Sequence, residues 1–204
     1  MSFHPIAIPD SIKQIPHSDA VNELIDEAND RIEAFMLADQ RVIENFVTCD
    51  FHLVDQALTW MCENHLLTGD RFCELGSGFG VVTMLAALRG MQSVGIEIEQ
   101  RLVDQSAALA EDRGIDAGFF CGSFIPHDVD QIVDLAADLE YVVTDESDVY
   151  SEIELTLDDF DLFFAFPWPG EHGFFESVVD ACAADGALLL TYRGREGMHL
   201  ARKS

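Results

Sequence analysis

The sequence predicts an α/β protein built on a doubly wound, mostly parallel sheet, preceded by N-terminal helices. Three observations carry this. Strand and helix signals alternate from residue 71 to residue 192, the pattern of successive β–α units. The strand candidates are continuously apolar, as in Leu162-Phe163-Phe164-Ala165-Phe166, which implies burial on both sheet faces. The stretch Phe72-Cys73-Glu74-Leu75-Gly76-Ser77-Gly78-Phe79-Gly80 leads from an apolar strand through glycines at alternate positions into the apolar run Val81 to Leu88. At such a strand–turn–helix junction the missing Cβ atoms let backbone approach a nucleotide-like ligand.

Taken in order, residues 1–17 hold Pro5, Pro9 and Pro16 and show no period, so an extended arm or loose tail is expected. Residues 18–68 form a helical segment packed on the core. Ser18 or Asp19 is placed to cap a helix, and Val21, Leu24, Ile25, Ala28, Ile32, Phe35, Met36, Ile43 and Phe46 recur at helical spacing. A second helix is expected over Leu53 to Leu66, and Thr68-Gly69-Asp70 turns the chain into the core, residues 69–204. Strands are expected at 71–75, 93–96, 117–121, 160–166 and 187–192, with helices at 81–89, 99–113, 128–138 and 171–184. Gly90, Gly114 and Gly186 mark helix exits. Residues 139–159 are rich in acids, including Asp145, Glu146, Asp148, Glu152, Glu154, Asp158 and Asp159, without Lys or Arg. They read as a solvated loop or short hairpin, with a lid or cationic docking strip as the alternative.

Composition narrows the function classes. The 204 residues suit one compact domain with an appendage, and 49% hydrophobic residues supply a core. No apolar run reaches the roughly 18 residues of a membrane span. The N-terminus lacks the basic and apolar regions of a secretory signal. Five scattered cysteines form no zinc-type spacing, so no metal is expected, and reduced thiols point to the cytoplasm. A net charge of −27 repels phosphates and anionic lipid, which argues against nucleic-acid and membrane partners. It is a solubility trait or a means of steering a cationic partner.

The glycine spacing separates ligand classes. A dinucleotide fingerprint, Gly-x-Gly-x-x-Gly, would put its third glycine at position 81; here it stands at Gly80, with Glu74 two residues before the first glycine. This Glu-x-Gly-x-Gly-x-Gly pattern resembles the first motif of class I (Rossmann-like) S-adenosylmethionine-dependent methyltransferases. Ser93-Val94-Gly95-Ile96-Glu97 resembles the family's second strand, ending in an acid. The similarity covers roughly residues 45–193. It implies S-adenosylmethionine as cofactor, with Glu74, Gly76, Ser77, Gly78 and Gly80 near its methionine end. Glu97 is then the acceptor for its ribose hydroxyls, a task that suits a carboxylate. Ser123 stands where the family often has an acid near adenine, beside Phe124, an adenine platform or a core ring.

The loop Phe166-Pro167-Trp168-Pro169-Gly170-Glu171-His172 falls where the family places substrate. Phe166 occupies a position that is polar in DNA base-amino methyltransferases, which lowers the expectation of nucleobase methylation. Phe166, Pro167 and Trp168 are candidate pocket residues, and Trp168 is a candidate wall of a cation cage. Glu171 and His172 are candidate proton acceptors or caps of the following helix. Segments like Phe46 to Phe51 fold over the cofactor in the family, which makes Thr48 and Asp50 candidate rim residues. After Tyr192 the family usually adds a helix and two strands, whereas here one short strand, Met198 to Arg202, is expected, trimming the sheet and leaving an edge for a partner or a second copy. The implied activity is methyl transfer to a small-molecule or protein acceptor. The competing readings are a catalytically silent binding or scaffold module and a nicotinamide-linked oxidoreductase.

Overall fold

The computed structural model describes residues 3–38, 46–126, 129, 132, 135–136 and 149–204. Its centre is a seven-stranded sheet formed by β1 (Phe3–Ile6), β2 (Arg71–Leu75), β3 (Gln92–Glu97), β4 (Gly118–Cys121), β5 (Leu162–Ala165), β6 (Leu188–Tyr192) and β7 (Met198–Lys203), in the order β1-β7-β6-β5-β2-β3-β4. Strands β6, β5, β2, β3 and β4 are mutually parallel, and β7 runs antiparallel to both of its neighbours.

The α-helices whose bounds fall within the described residues are α1 (Asp19–Ala38), α2 (Phe51–Glu63), α3 (Val81–Ala87), α4 (Gln100–Arg113), α5 (Val149–Ile153) and α6 (His172–Cys182). Alternating side chains of each strand point to opposite faces, and the core divides accordingly. Phe72, Leu162, Phe164, Leu188 and Leu190 pack with the apolar stripes of α1 to α4. Cys73, Leu75, Phe163 and Leu189 pack with α5 and α6. Each fully buried Phe or Leu contributes about 1.5–3 kcal/mol relative to exposure, so the apolar strands anchor the sheet from both sides.

At the two ends of the chain one alternative is decided and one expectation corrected. Residues 3–6 are an extended arm rather than a loose tail: Phe3 pairs with Lys203 and Ile6 with Leu200. The sheet is not trimmed, because β1 adds its seventh strand from the opposite end of the chain. A buried ionic cluster secures this route. Asp55 of α2 is fully buried, its Oδ2 lies 2.7 Å from His17 Nδ1, and its Oδ1 accepts from Arg89 just after α3.

Smaller differences concern element limits. Ser18 Oγ accepts from the Val21 N–H at 3.3 Å, as expected of a cap. The predicted stripe of α1 buries Val21, Leu24, Ile25, Ala28 and Ile32, but Met36 is exposed and Phe46 lies outside any helix. Ile43, the helix predicted at 128–138 for the most part, and Asp145, Glu146 and Asp148 lie outside the described residues. The rest of the acidic stretch forms α5 and a 3-10 turn, Leu157–Asp159, rather than a hairpin. Its Asp159 reaches Arg71 at 3.3 Å.

Candidate active site

At the carboxyl ends of the parallel strands the chain leaves β2 for β3 and β4 on one side, and β5 for β6 on the other. A doubly wound sheet opens a crevice at such a reversal. Here it is a cleft of 820 Å³, toward the upper end of the roughly 300–1,000 Å³ typical of small-molecule sites.

One wall is the glycine turn. Gly76 and Ser77 both donate backbone N–H bonds to the Ile96 carbonyl at 2.9 Å, tying the turn to the end of β3. Gly76 and Gly78 adopt positive φ, +82° and +54°, where a Cβ is disfavoured. The Gly78 N–H donates to Glu97 Oε2 at 2.9 Å, and the Gly78 carbonyl accepts from Ser106 of α4 at 2.9 Å. Glu97 Oε1 also accepts from the Glu99 N–H at 3.0 Å. Burial raises the Glu97 carboxyl above its ordinary value, and these backbone donors oppose the shift. The glycine turn and the acid ending the next strand, separate signals in the sequence, are one hydrogen-bonded unit.

Glu74 is buried beneath the turn. Its Oε2 accepts from the Thr83 N–H at 2.8 Å and the Thr83 hydroxyl at 2.5 Å, so it braces the first turn of α3 while also lining the cleft. Burial pushes its carboxyl up to about 8, with the Thr83 bonds pulling the other way. Gly80 does not line the cleft. It starts α3 at φ +67°, and a Cβ there would lie 2.2 Å from the Phe119 ring; its glycine serves packing rather than ligand approach. Gly95 of β3 was not singled out by the sequence pattern, yet a Cβ on it would meet both Ser77 and Thr83 at 2.8 Å.

Ser77 and Ser123 are both buried and line the cleft. Ser123 Oγ accepts from the Ile125 N–H at 3.1 Å, whereas Ser77 Oγ is buried without a hydrogen-bond partner. Phe124 lines the cleft and stacks on Phe175 of α6 with ring centroids 5.4 Å apart.

The second wall follows β5 and β6. Phe166, Pro167, Trp168, Glu171 and His172 all line it, as do Arg193 and Arg195, which sequence reasoning missed. Phe166 packs edge-on against Tyr192, centroids 5.0 Å apart. Glu171 occupies the cap position of α6 without a side-chain capping bond. Burial raises its carboxyl, and a hydrogen bond from the Trp168 backbone opposes the rise. His172 opens α6 with Nδ1 buried and unpartnered. Burial, then the nearby Arg193 charge, hold its imidazole below the ordinary value, favouring the neutral ring.

The segment before α2 covers the cleft from above. Phe46 stands over Gly78, 3.0 Å from where its Cβ would be, and Val47, Thr48, Cys49 and Phe51 add to the lining. Burial, reinforced by Glu74, pushes the Cys49 thiol well up, which leaves it protonated and unsuited to nucleophilic attack. Asp50 is not part of the lining. It is the N-cap of α2, its carboxylate accepting from the Leu53 N–H at 3.0 Å.

No protein-family model and no curated protein matches the chain in sequence. Its architecture, however, is that of known enzymes. A methyltransferase from Geobacter sulfurreducens superposes with a TM-score of 0.53 at 14% identity, over 93% of this chain and 93% of that one. The chain has the class I, Rossmann-like methyltransferase fold. An O-methyltransferase from Bacillus cereus, solved with S-adenosylhomocysteine, aligns at 12% identity over 89% of this chain and 69% of its own, TM-score 0.51. A methyltransferase from Clostridium acetobutylicum aligns at 10% identity and TM-score 0.48 over 80% of this chain, which spans 56% of that protein's length. Within this fold Gly76, Ser77, Gly78 and Glu97 sit at the crevice of the sheet. No helix among the described residues is long and apolar enough to cross a membrane.

Proposed function

We propose that the protein is an S-adenosylmethionine-dependent methyltransferase with a small-molecule or protein acceptor. The observation that carries this is the junction of Glu97 with the glycine turn. One carboxylate is held at the turn by the Gly78 N–H at 2.9 Å, in a cleft large enough for a nucleoside and a second ligand.

The residues fit such a cofactor. The orphaned Ser77 Oγ needs a polar partner, because a buried hydroxyl without one costs about 1–3 kcal/mol. A ligand's amino-acid group at the turn would supply it, with Gly76 and Gly78 allowing close approach. The Glu97 carboxylate takes backbone donors from Gly78, Glu99 and Ile98, and of the roughly four lone-pair sites of a carboxylate one is left for a ribose hydroxyl. Ser123 and Phe124 lie on the β4 side, where an adenine ring would rest. The cofactor, when bound, supplies an activated methyl group on a positive sulfur.

The chain's remaining task is alignment and proton removal. Positioning of an acceptor against a reactive methyl is worth up to about 7–11 kcal/mol in favourable cases. The walls Phe166-Pro167-Trp168 on one side and Phe46 to Cys49 on the other exclude water and orient the acceptor. The neutral His172, with Nδ1 unpartnered, is the better proton acceptor for an O–H or N–H group. Glu171, raised by burial, stands next to it as an alternative.

The silent-scaffold reading draws on the short carboxyl end and on Ser123 in place of the usual acid; with β1 and β7 completing a seven-stranded sheet the first motive is gone, and the second alone does not favour it over methyl transfer. Five cysteines without disulfides suit a reducing compartment such as the cytoplasm. Titration calorimetry of the full chain with S-adenosylmethionine and S-adenosylhomocysteine tests the proposal. Binding of both in the micromolar range is expected, and no heat with either at millimolar concentration overturns it.

A further inference from the structure

The cleft carries an uneven set of charges. Its β2–β3–β4 wall holds Glu74, Glu97, Glu99 and Arg101, while its β5–β6 wall holds Glu171, His172, Arg193 and Arg195. In a chain with only 11 Lys and Arg against 38 acids, two arginines two residues apart on the acceptor wall run against the overall charge.

Arg193 is fixed in place. Its Nε donates to Thr191 Oγ1 at 3.3 Å, and its Nη2 lies 3.2 Å from Glu176 Oε1 and 3.3 Å from His199 Nδ1. Those contacts use Nε and Nη2, and Nη1 has no hydrogen bond among the described residues. Arg195, two residues on, is exposed, lines the same cleft and forms no ion pair among the described residues. A guanidinium held in a rigid plane, with a second one beside it, matches the two-pronged geometry of a carboxylate or phosphate. A cationic group on the same wall would meet two like charges against the one carboxyl of Glu171 among that wall's described lining residues. His172, whose Nδ1 is buried without a partner among the described residues, belongs to this wall as well.

We propose that the acceptor is a small molecule bearing a carboxylate or phosphate, held by Arg193 and Arg195, with His172 Nδ1 accepting a hydrogen bond from the same molecule. This rests on the methyl-transfer reading of the cleft. It also assigns the two charge patterns different scales: the net charge of −27 acts far from the surface, whereas the arginine pair decides what the wall accepts at contact distance.

The test is calorimetry of the full chain saturated with S-adenosylhomocysteine and titrated with benzoate, phenyl phosphate and benzylamine. Benzoate or phenyl phosphate is expected to bind and benzylamine not to; the tighter of the two anions identifies the group. Arg195→Ala, at an exposed side chain free of packing duties, is expected to weaken that anion roughly tenfold or more, with S-adenosylhomocysteine affinity unchanged. Benzylamine binding in preference to the anions, no binding of any probe at millimolar concentration, or equal anion affinity in wild type, Arg195→Ala and Arg193→Lys each overturns the proposal. Absence of S-adenosylhomocysteine binding in the first titration instead overturns the methyl-transfer reading on which it stands.

Discussion

On the β2–β3–β4 wall of the cleft most polar groups are already spent on neighbours, whereas on the β5–β6 wall several are not. Glu97 holds Gly78 and Glu99, Glu74 holds Thr83, Ser106 holds the Gly78 carbonyl, and Ser123 holds Ile125. Across the cleft, among the described residues, His172 Nδ1 has no partner and Arg195 makes no ion pair, while Glu171 is engaged only by the Trp168 backbone. Apart from the orphaned Ser77 Oγ, the first wall is therefore preorganised, so a ligand there meets a shape that is already fixed. The second is aromatic and carries unspent donors and acceptors, as expected of a surface whose partners arrive with the acceptor. A division of labour follows: substitutions on the first wall change folding and cofactor affinity together, and those at His172 and Arg195 on the second change acceptor handling alone.

The harshest way to break this comparison is Gly80→Ala. The new Cβ would lie 2.2 Å from Phe119 at a φ of +67°. Overpacking costs about 1–3 kcal/mol and left-handed backbone adds about 1–2 kcal/mol. Urea denaturation is expected to show the combined loss, and wild-type stability in the variant would remove the packing role assigned to Gly80. Next in size is Glu97→Ala. It deletes an acceptor for the cofactor's hydroxyls and strips the Gly78 N–H of its partner. A loss of about 1.5–3 kcal/mol in S-adenosylhomocysteine binding, on the order of 10- to 100-fold, is expected by calorimetry. Unaltered affinity would break the link between turn and acid.

Glu74→Gln sharpens the comparison through pH. The folded-state value near 8 lies above the ordinary 4.5, so between those values the folded protein binds the proton that the unfolded chain has released. Stability then falls as pH rises through that window. Thermal melts should show wild type losing ground to Glu74→Gln from about pH 4.5 to about pH 8, and parallel pH curves would contradict it. His172→Ala is expected to reduce turnover while leaving S-adenosylhomocysteine affinity within about twofold, that is, within about 0.4 kcal/mol; a joint loss of both would erase the distinction between the walls. The mildest expected effect is Asp50→Ala, which removes the cap of α2 at a cost of about 1 kcal/mol, read by denaturation, with little change in ligand binding.

The strands from β2 to β6 were legible in the sequence because burial on both faces writes a continuous apolar run, and the glycine turn because positive φ is written in residue type. Asp50 was misplaced at the cleft because capping and lining draw on the same polar residues, and only the direction of the side chain separates them. Arg193 and Arg195 escaped notice for a related reason. A charged residue after a strand is ordinary, and its meaning appears only once β6 lies beside β5 and the two loops share one wall.

By itself the sequence determined what is encoded within a few residues: alternating β and α units, the two-sided burial of the strands, the bend at Gly76 to Gly80 and an acid closing β3. The tertiary structure decided what depends on distant partners. Phe3 to Ile6 is a strand because Leu200 to Lys203 offers it a hydrogen-bonding edge, and a four-residue segment with a proline in it has no local preference strong enough to announce that pairing. The joining of Glu97 to Gly78 and the orphaned atoms of Ser77 and His172 belong to the same class. Hydrogen-bond satisfaction is a property of positions in space, and a chain's local pattern does not record it.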